Sequence, residues 1–531
     1  MSALSPVNPW PPRMLAVLLL FPLALGFWGA DAFQKTDGLS AFERAWGSNE
    51  QVLILFRALS HSGWIGLGAA FVATAIGLGA GWALSRRARS MKWLALCALP
   101  LAVAPSVMVS GWLTWLAQGN SADVSSAFRL LPPGASGPGP IFSIPGVALL
   151  LGFNLWPIIA LETWPAFSRA RGDSYAAALM HGSPVRAFFK IALPMARGEI
   201  MAGFLLVFLL AATDFTTSSL LLVRTLPIEV NDQLVLNRPA TGAWQALPLV
   251  LLVAGLAWVF LRLRRMVWAS NAGAAESSGP AVVSHTRWGW GESLLALGIG
   301  VGFVVPIAGC VIPVLQSSMP FTRTFGPGLN ALGDSARLAS AAALFVWAFT
   351  AARVVFWPTL TSHWLGTASL FLLVVPGCFL ASGLLTLMAW DHNGPGLVPG
   401  IAWLALGYSL RFLYLPLRLT EEGLRTLDPA LFEAAALAGH SRLSQGLNIA
   451  LPLVSRHCFA GAALAWVLAF GELPLSVRLH PPGVTPAAVW LFDQQHYGYT
   501  EDVFALSLLS GLTAALLLFG GGWLASRFRR A

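Results

Sequence analysis

The segment that decides the fold reads EAAALAG from Glu433 to Gly439, and IALP follows ten residues after that glycine, from Ile449 to Pro452. A second copy lies upstream, where YAAALMH runs from Tyr175 to His181 and another IALP runs from Ile191 to Pro194 at the same spacing. The two prolines lie 258 residues apart, close to half of the 531-residue chain. Both copies interrupt long apolar segments, so the sequence predicts two related halves that each carry one such loop.

The composition is that of an integral membrane protein. Of the 531 residues, 56% are hydrophobic and only 10% are charged, whereas roughly a quarter of the residues in a typical soluble protein are charged. Apolar runs of about 20 residues, long enough to cross the hydrocarbon core as a helix, recur along the chain. Because spanning backbone must satisfy its own hydrogen bonds and alternating strand patterns are absent, we predict an all-α polytopic membrane protein.

We expect about twelve transmembrane helices, six in each half. The first half, 1–269, contains the first motif loop, 168–198, and the second half, 288–531, contains the second motif loop, 418–456. A linker, 270–287, is rich in Ala, Ser and Gly and is predicted to be flexible. The predicted spans are Met14–Phe33, Gly63–Leu84, Trp93–Leu116, Ile144–Trp164, Glu199–Val223, Ala246–Leu263, Glu292–Leu315, Ala336–Phe356, Trp364–Trp390, Leu397–Leu417, Cys458–Val477 and Val503–Ala525.

Prolines mark the third span of each half. Pro105 lies in the third predicted span and Pro376-Gly377 lies in the ninth. Because proline removes a helical hydrogen bond, we predict that these two equivalent helices are kinked.

The formal net charge of +9 does not indicate nucleic-acid binding, because the arginines cluster at the ends of apolar runs, where the positive-inside rule expects them. These clusters, counted over twelve spans, place both termini and both motif loops on the cytoplasmic face. We expect no nucleic-acid partner, no metal site and no cofactor. Four cysteines lie in or beside apolar runs without the spacing of a zinc site: Cys97, Cys310, Cys378 and Cys458.

The second motif loop carries the signals of a short helix. Asp428 is a good N-cap residue, and Pro429 suits the first helical position, where no N–H is needed. The segment Ala430–Ala438 is rich in strong helix formers, and Gly439 suits the left-handed residue that ends a helix. We therefore predict a helix of about ten residues, roughly 15 Å long, with Glu433 as the charge in its middle.

The first motif loop departs from this pattern. Tyr175 stands where the second copy has Glu433, and His181 stands where it has Gly439. Gly182 follows one residue later, so the end of this helix is expected to shift by one position.

The two motif loops, and the run from Ser183 to Pro194 in particular, resemble the coupling loops of type I ATP-binding cassette (ABC) importer permeases, in the branch of fused permeases for ferric iron or thiamine. The resemblance implies two homologous permease domains in one chain of the bacterial plasma (inner) membrane. It implies a cytoplasmic ABC ATPase dimer that docks on both loops, and a periplasmic or extracellular solute-binding protein. The implied coupling residues are Glu433, Ala434, Ala435, Gly439, Leu451 and Pro452 in the second loop, and Tyr175, Ala176, Ala177, His181, Gly182, Leu193 and Pro194 in the first. Because the first loop departs from the family pattern, we hypothesise that the second loop dominates coupling.

Two acidic residues lie within predicted spans. Asp214 and Glu472 each follow the proline of their motif loop by 20 residues, so they occupy equivalent positions in the two halves. Charges at membrane depth are costly and usually face a cavity or a partner. Either both acids line the translocation path and attract a cationic solute, or each accepts hydrogen bonds from a broken helix or pairs with an arginine such as Arg478.

The sequence carries no motif for ATP hydrolysis or for the common kinds of hydrolytic catalysis. It contains no GxxxxGK[ST] phosphate-binding loop, no HExxH and no GxSxG. We therefore expect no catalytic residues and no enzyme activity, but a transport subunit that depends on a separate ATPase. The alternative is an ion-coupled secondary transporter with two six-helix repeats, which would carry ionisable residues deep in several spans.

Overall fold

The fold is helical throughout the part of the chain that the structure describes. The computed structural model describes residues 10–34, 38–86, 91–117, 141–170, 175, 183–236, 238–274, 289–316, 325–357, 363–393, 399–497 and 501–527. Every regular element within these residues is a helix, as the sequence predicts. The chain is therefore an all-α polytopic membrane protein.

The described helices of the first half are joined by short connections and one π-helical turn. They are α1 Trp10–Gln34, α2 Gly38–Trp46, α3 Asn49–Arg86, α4 Met91–Ala102, α5 Pro105–Ala117, α6 Ile144–Ala170, α7 Pro184–Ala187, the π turn Phe188–Ala192, α8 Leu193–Met195, α9 Arg197–Ala212, α10 Thr216–Leu220, α11 Leu226–Val235 and α12 Pro239–Ala274. The predicted linker begins inside α12, and its remaining residues, 275–287, lie outside the described part.

The second half contains further helices and two π-helical turns. Its described helices are α13 Trp290–Ile299, the π turn Gly300–Val304, α14 Val305–Gln316, α15 Phe325–Phe356, α16 His363–Val374, α17 Gly377–Asn393, α18 Gly400–Phe412, α19 Tyr414–Arg425, α20 Pro429–Leu437, α21 Arg442–Gln445, the π turn Gly446–Ala450, α22 Leu451–Phe470, α23 Ser476–Leu479, α24 Ala487–Tyr497 and α25 Glu501–Arg527.

The predicted spans coincide with long apolar helices or with pairs of shorter ones. Among the described residues, seven helices are long and apolar enough to cross a membrane, and up to eleven spans result if each sharply bent pair counts as one. The first predicted span, Met14–Phe33, falls in α1, which contains the apolar helical segment Arg13–Leu25.

Several predicted spans are broken and not continuous. The third and ninth bend by 92° and 106°, at Pro105 and at Pro376-Gly377, which is far more than a kink. The tenth bends by 52° between α18 and α19. The fifth and eleventh predicted spans end as helices at Ala212 and Phe470, earlier than predicted. Each break exposes backbone groups that no longer have a helical partner.

The first helix of each half packs against the other half. Helix α1 contacts α16 and α17, and α13 and α14 contact α3 and α5. Glycines permit both contacts, because a Cβ atom at Gly383 would collide with the carbonyl oxygen of Pro22, and one at Gly111 would collide with that of Pro306. The Trp115 indole also donates a hydrogen bond to the Val305 carbonyl, at 2.8 Å. The two halves are therefore interlocked by an exchange of their first helices.

This close approach makes a prediction about stability. Gly383→Ala forces α1 away from α17, and overpacking of this kind costs about 1–3 kcal/mol. The matched control is Gly366→Ala on the neighbouring α16, where a Cβ atom meets nothing within 4 Å. We expect thermal unfolding of the purified protein to shift to lower temperature for Gly383→Ala alone. Equal melting temperatures for the two variants would contradict the interlocked packing.

Candidate functional site

The second motif loop folds as its sequence predicts. The Asp428 side chain accepts a hydrogen bond from the Ala430 backbone N–H at 2.9 Å, and Pro429 opens α20. Gly439 has a φ of 85°, and the N–H groups of Gly439 and His440 donate to the carbonyls of Ala436 and Ala435. These two bonds form a Schellman motif, which gives the helix a defined end.

Helix α20 has one buried face and one exposed face. Phe432 packs against an apolar cluster that includes Val454, and Ala435 is buried. Glu433 and Ala434 are exposed on the opposite side, and Leu437 is 91% exposed. An apolar helix face held on a well-packed base is typical of a surface that another protein covers.

The IALP segments of the two motif loops adopt the same unusual backbone. A π-helical turn covers Phe188–Ala192 in the first loop and Gly446–Ala450 in the second, and these positions are 258 residues apart. Leu193 and Leu451 each follow the turn and pack against the apolar cluster beneath their loop. Because the next residue is proline, whose ring crowds the preceding turn, a widened turn relieves the steric conflict.

The first motif loop is anchored differently. Tyr175 is buried, and its ring lies 5.3 Å from the ring of Trp82. The Tyr175 side chain therefore does not occupy the exposed position that the Glu433 carboxylate has in the second loop. Ser183 accepts a hydrogen bond from the Arg186 N–H, and Pro194 is exposed. The other coupling residues predicted in this loop, Ala176, Ala177, His181 and Gly182, lie outside the described residues.

Asp214 and Glu472 lie at equivalent helix breaks. Asp214 follows the end of α9, and one of its oxygens accepts the Ser218 backbone N–H at 3.1 Å. Glu472 follows the end of α22, and its side chain lies 3.4 Å from the Leu475 backbone nitrogen. Each carboxylate thus accepts a hydrogen bond from a backbone N–H that the break exposes.

An arginine that the sequence analysis did not identify neutralises Glu472. The Arg411 Nε lies 3.3 Å from Glu472 Oε1, and its Nη1 donates to the Val375 carbonyl at 3.1 Å, directly before the break at Pro376. Arg478, which the sequence suggests as a possible partner of Glu472, instead donates to the Asn231 side chain at 2.8 Å. One signal in the sequence could have indicated this pair: Arg411 is a charged residue within the tenth predicted span.

The two breaks approach each other. Phe215 and Leu473 each follow their carboxylate by one residue, and both belong to a buried apolar cluster with Ala488 and Val489. The Phe215 ring also lies 6.0 Å from the ring of Phe492. Apolar side chains therefore fill the space between the equivalent breaks of the two halves.

The described residues offer no site for a metal ion. No group of three or more His, Cys, Asp or Glu side chains within this part of the chain could hold one. The four cysteines are buried and free.

Comparisons with known proteins support the same class of protein. No protein-family model matches the chain. The chain is 25% identical over 199 residues to the putative 2-aminoethylphosphonate transport system permease protein PhnV of Salmonella paratyphi A (strain ATCC 9150 / SARB42). The alignment covers 36% of this chain and 73% of that protein, so the relative is about half as long. This similarity supports the role of an ABC importer permease.

Burial of Tyr175 makes a second prediction. Tyr175→Glu places a carboxylate against Trp82, and burying an unpaired charge is strongly unfavourable, so we expect a lower melting temperature and less folded protein. Tyr175→Phe keeps the ring contact and is expected to be affected much less. The matched control is Leu437→Glu, which adds the same charge at an exposed position of the other loop. A Tyr175→Glu protein as stable as this control would contradict the buried position.

The Arg411–Glu472 pair makes a third prediction. Glu472→Leu leaves the Arg411 charge buried without its carboxylate, which typically costs about 3–5 kcal/mol. The double variant Arg411→Leu, Glu472→Leu removes both charges and is expected to recover much of that loss. Thermal unfolding in detergent measures both effects. A double variant less stable than Glu472→Leu would show that Arg411 acts mainly through the Val375 carbonyl.

Proposed function

We propose that this chain is a transmembrane permease subunit of an ABC importer, with two permease domains fused as 1–269 and 288–531 and joined by the linker 270–287. Three observations support the fusion. The motif loops share their spacing and their π-helical turn, the first helices are exchanged between the halves, and the permease relative is about half as long.

The exposed face of α20 is the observation that carries this proposal. A cytoplasmic ABC ATPase dimer docks on the two motif loops, with Glu433, Ala434 and Leu437 in the contact from the second loop. Leu451, Pro452, Leu193 and Pro194 hold the loops on their stems. When ATP brings the ATPase subunits together, the loops move and the spans change between inward-open and outward-open states. ATPase binding must favour one state over the other for this coupling to work.

The first loop contributes less of this contact, because Tyr175 is buried where the second loop exposes Glu433. The family resemblance also assigns a coupling role in this loop to Ala176, Ala177, His181 and Gly182.

The solute is a small molecule that a periplasmic or extracellular binding protein delivers. The resemblance of the motif loops favours ferric iron or thiamine, and the curated relative adds 2-aminoethylphosphonate as a candidate. The protein resides in the bacterial plasma membrane, with both termini and both motif loops in the cytoplasm.

A pull-down tests the proposal. Tagged chain purified from native membranes is expected to retain a stoichiometric ATPase, and Leu437→Asp is expected to reduce this ATPase at least tenfold, because a charge disrupts an apolar contact. The matched control is Leu236→Asp, an exposed leucine after α11 and outside both motif loops. The amount of ATPase per chain is measured by quantitative mass spectrometry.

A chain that purifies without an ATPase, and that transports in liposomes with an ion gradient alone, would identify the ion-coupled secondary transporter. Equal loss of ATPase in both leucine variants would remove α20 as the docking helix.

A further inference from the structure

The equivalent acids of the two halves differ in their electrostatic partners. Glu472 is buried and pairs with Arg411. Among the described residues, no arginine, lysine or histidine forms an ion pair with Asp214, whose Oδ2 accepts from the backbone N–H and the hydroxyl of Ser218. One of the two equivalent carboxylates is therefore paired with a cationic side chain, and the other is not.

The difference has a structural cause in the neighbouring helix. In the second half, Arg411 of α18 donates to the carbonyl of Val375 at the break of the ninth span. In the first half, Asn154 of α6 has this role and donates to the carbonyls of Pro100 and Val103, at 2.7 and 3.2 Å. Both side chains satisfy a broken helix, but the asparagine brings no positive charge to Asp214.

Asp214 is itself partly accessible, and hydroxyl groups lie beside it. Asp214 is half-buried, whereas Glu472 is buried. The Ser218 hydroxyl lies 3.5 Å from Asp214 Oδ2. The Thr217 hydroxyl is buried, has no hydrogen-bond partner at bonding distance and lies near the same carboxylate. A partly accessible carboxylate can accept a hydrogen bond from a donor that the protein itself does not supply, and a hydroxyl without a partner beside it can help to orient that donor.

We propose that Asp214 is the counter-ion for a single positively charged group of ammonium type on the transported solute. The inference rests on the proposed importer function and specifies which half of the path meets the solute's charge. Helix capping alone requires only an acceptor, which asparagine would provide without the cost of a charge at membrane depth. One carboxylate among hydroxyls suits an ammonium group, whereas a bare ferric ion requires several anionic ligands, which the described residues do not gather.

Thiol labelling tests the charge at this position without an ATPase or a binding protein. In the purified full-length chain, Ser219→Cys adds a half-buried thiol one residue after Ser218. We expect a cationic methanethiosulfonate reagent to react faster than an anionic one of similar size, on the order of tenfold. Adding Asp214→Asn, which keeps a capping acceptor, is expected to abolish this preference. The wild-type chain gives the background, since its four cysteines are buried.

The second half supplies the matched control. Val477 is the position 258 residues after Ser219 and is also half-buried. Because Arg411 pairs with Glu472 and Arg478 adds a positive charge next to position 477, Val477→Cys is expected to show no preference for the cationic reagent. A preference as large at Val477→Cys as at Ser219→Cys would overturn the proposed asymmetry.

Competition tests binding of the charged group itself. Ethylammonium chloride is expected to slow labelling of Ser219→Cys by the cationic reagent several-fold more than sodium chloride at the same concentration, and only while Asp214 is present. Equal effects of the two salts would overturn the proposal. The melting temperature of Asp214→Asn shows whether the variant is folded. These measurements involve no ATPase, so they can fail while the pull-down succeeds, or succeed while the pull-down fails. Failure of the counter-ion proposal is therefore distinguishable from failure of the proposed importer function.

Discussion

Backbone hydrogen bonding inside the membrane is the constraint on which the rest of this structure depends. A lipid-exposed helix satisfies its own N–H and C=O groups, but a broken helix does not, and the bilayer core offers no water to replace the lost partners. This chain bends its third and ninth spans by about a right angle. Asn154 and Arg411 bond to the carbonyls that these bends expose, and Asp214 and Glu472 lie against exposed N–H groups. The hydrogen bonds that the broken helices require therefore account for the positions of these polar residues at membrane depth.

Much of this arrangement could be predicted from local sequence. The cap, body and end of α20 follow from Asp428, Pro429 and Gly439, because each acts through neighbours within a few residues. The breaks were indicated by Pro105 and Pro376-Gly377, although their angle was not. The ion pair of Glu472 with Arg411, and the exchange of α1, could not be predicted, because both depend on contacts between segments distant in sequence. The contact of Gly383 with Pro22 leaves no local pattern in the sequence.

The two halves have similar backbone features but different side chains at them. Their π-helical turns fall at equivalent positions, and each half accepts the other's first helix at a glycine, Gly111 or Gly383. Side chains with corresponding places in the two halves then diverge. Glu433 is exposed where Tyr175 is buried, and Arg411 bonds to a broken helix where Asn154 does so in the first half. A common backbone with different charges is consistent with the proposal that the second half carries most of the ATPase contact and the first half presents an acid to the solute.

The second motif loop is connected to the Arg411–Glu472 pair by both of its stems. Helix α19 enters the loop and begins at Tyr414, three residues after Arg411. Helix α22 leaves the loop and ends at Phe470, two residues before Glu472. Its 20 residues span about 30 Å, and helices of this kind move as rigid bodies. In the proposed importer, an ATPase that displaced α20 would therefore act through both stems on the two partners of the ion pair. In the first half, α9 connects the first motif loop to Asp214, so the same proposal has movement of that loop displace the acid that meets the solute.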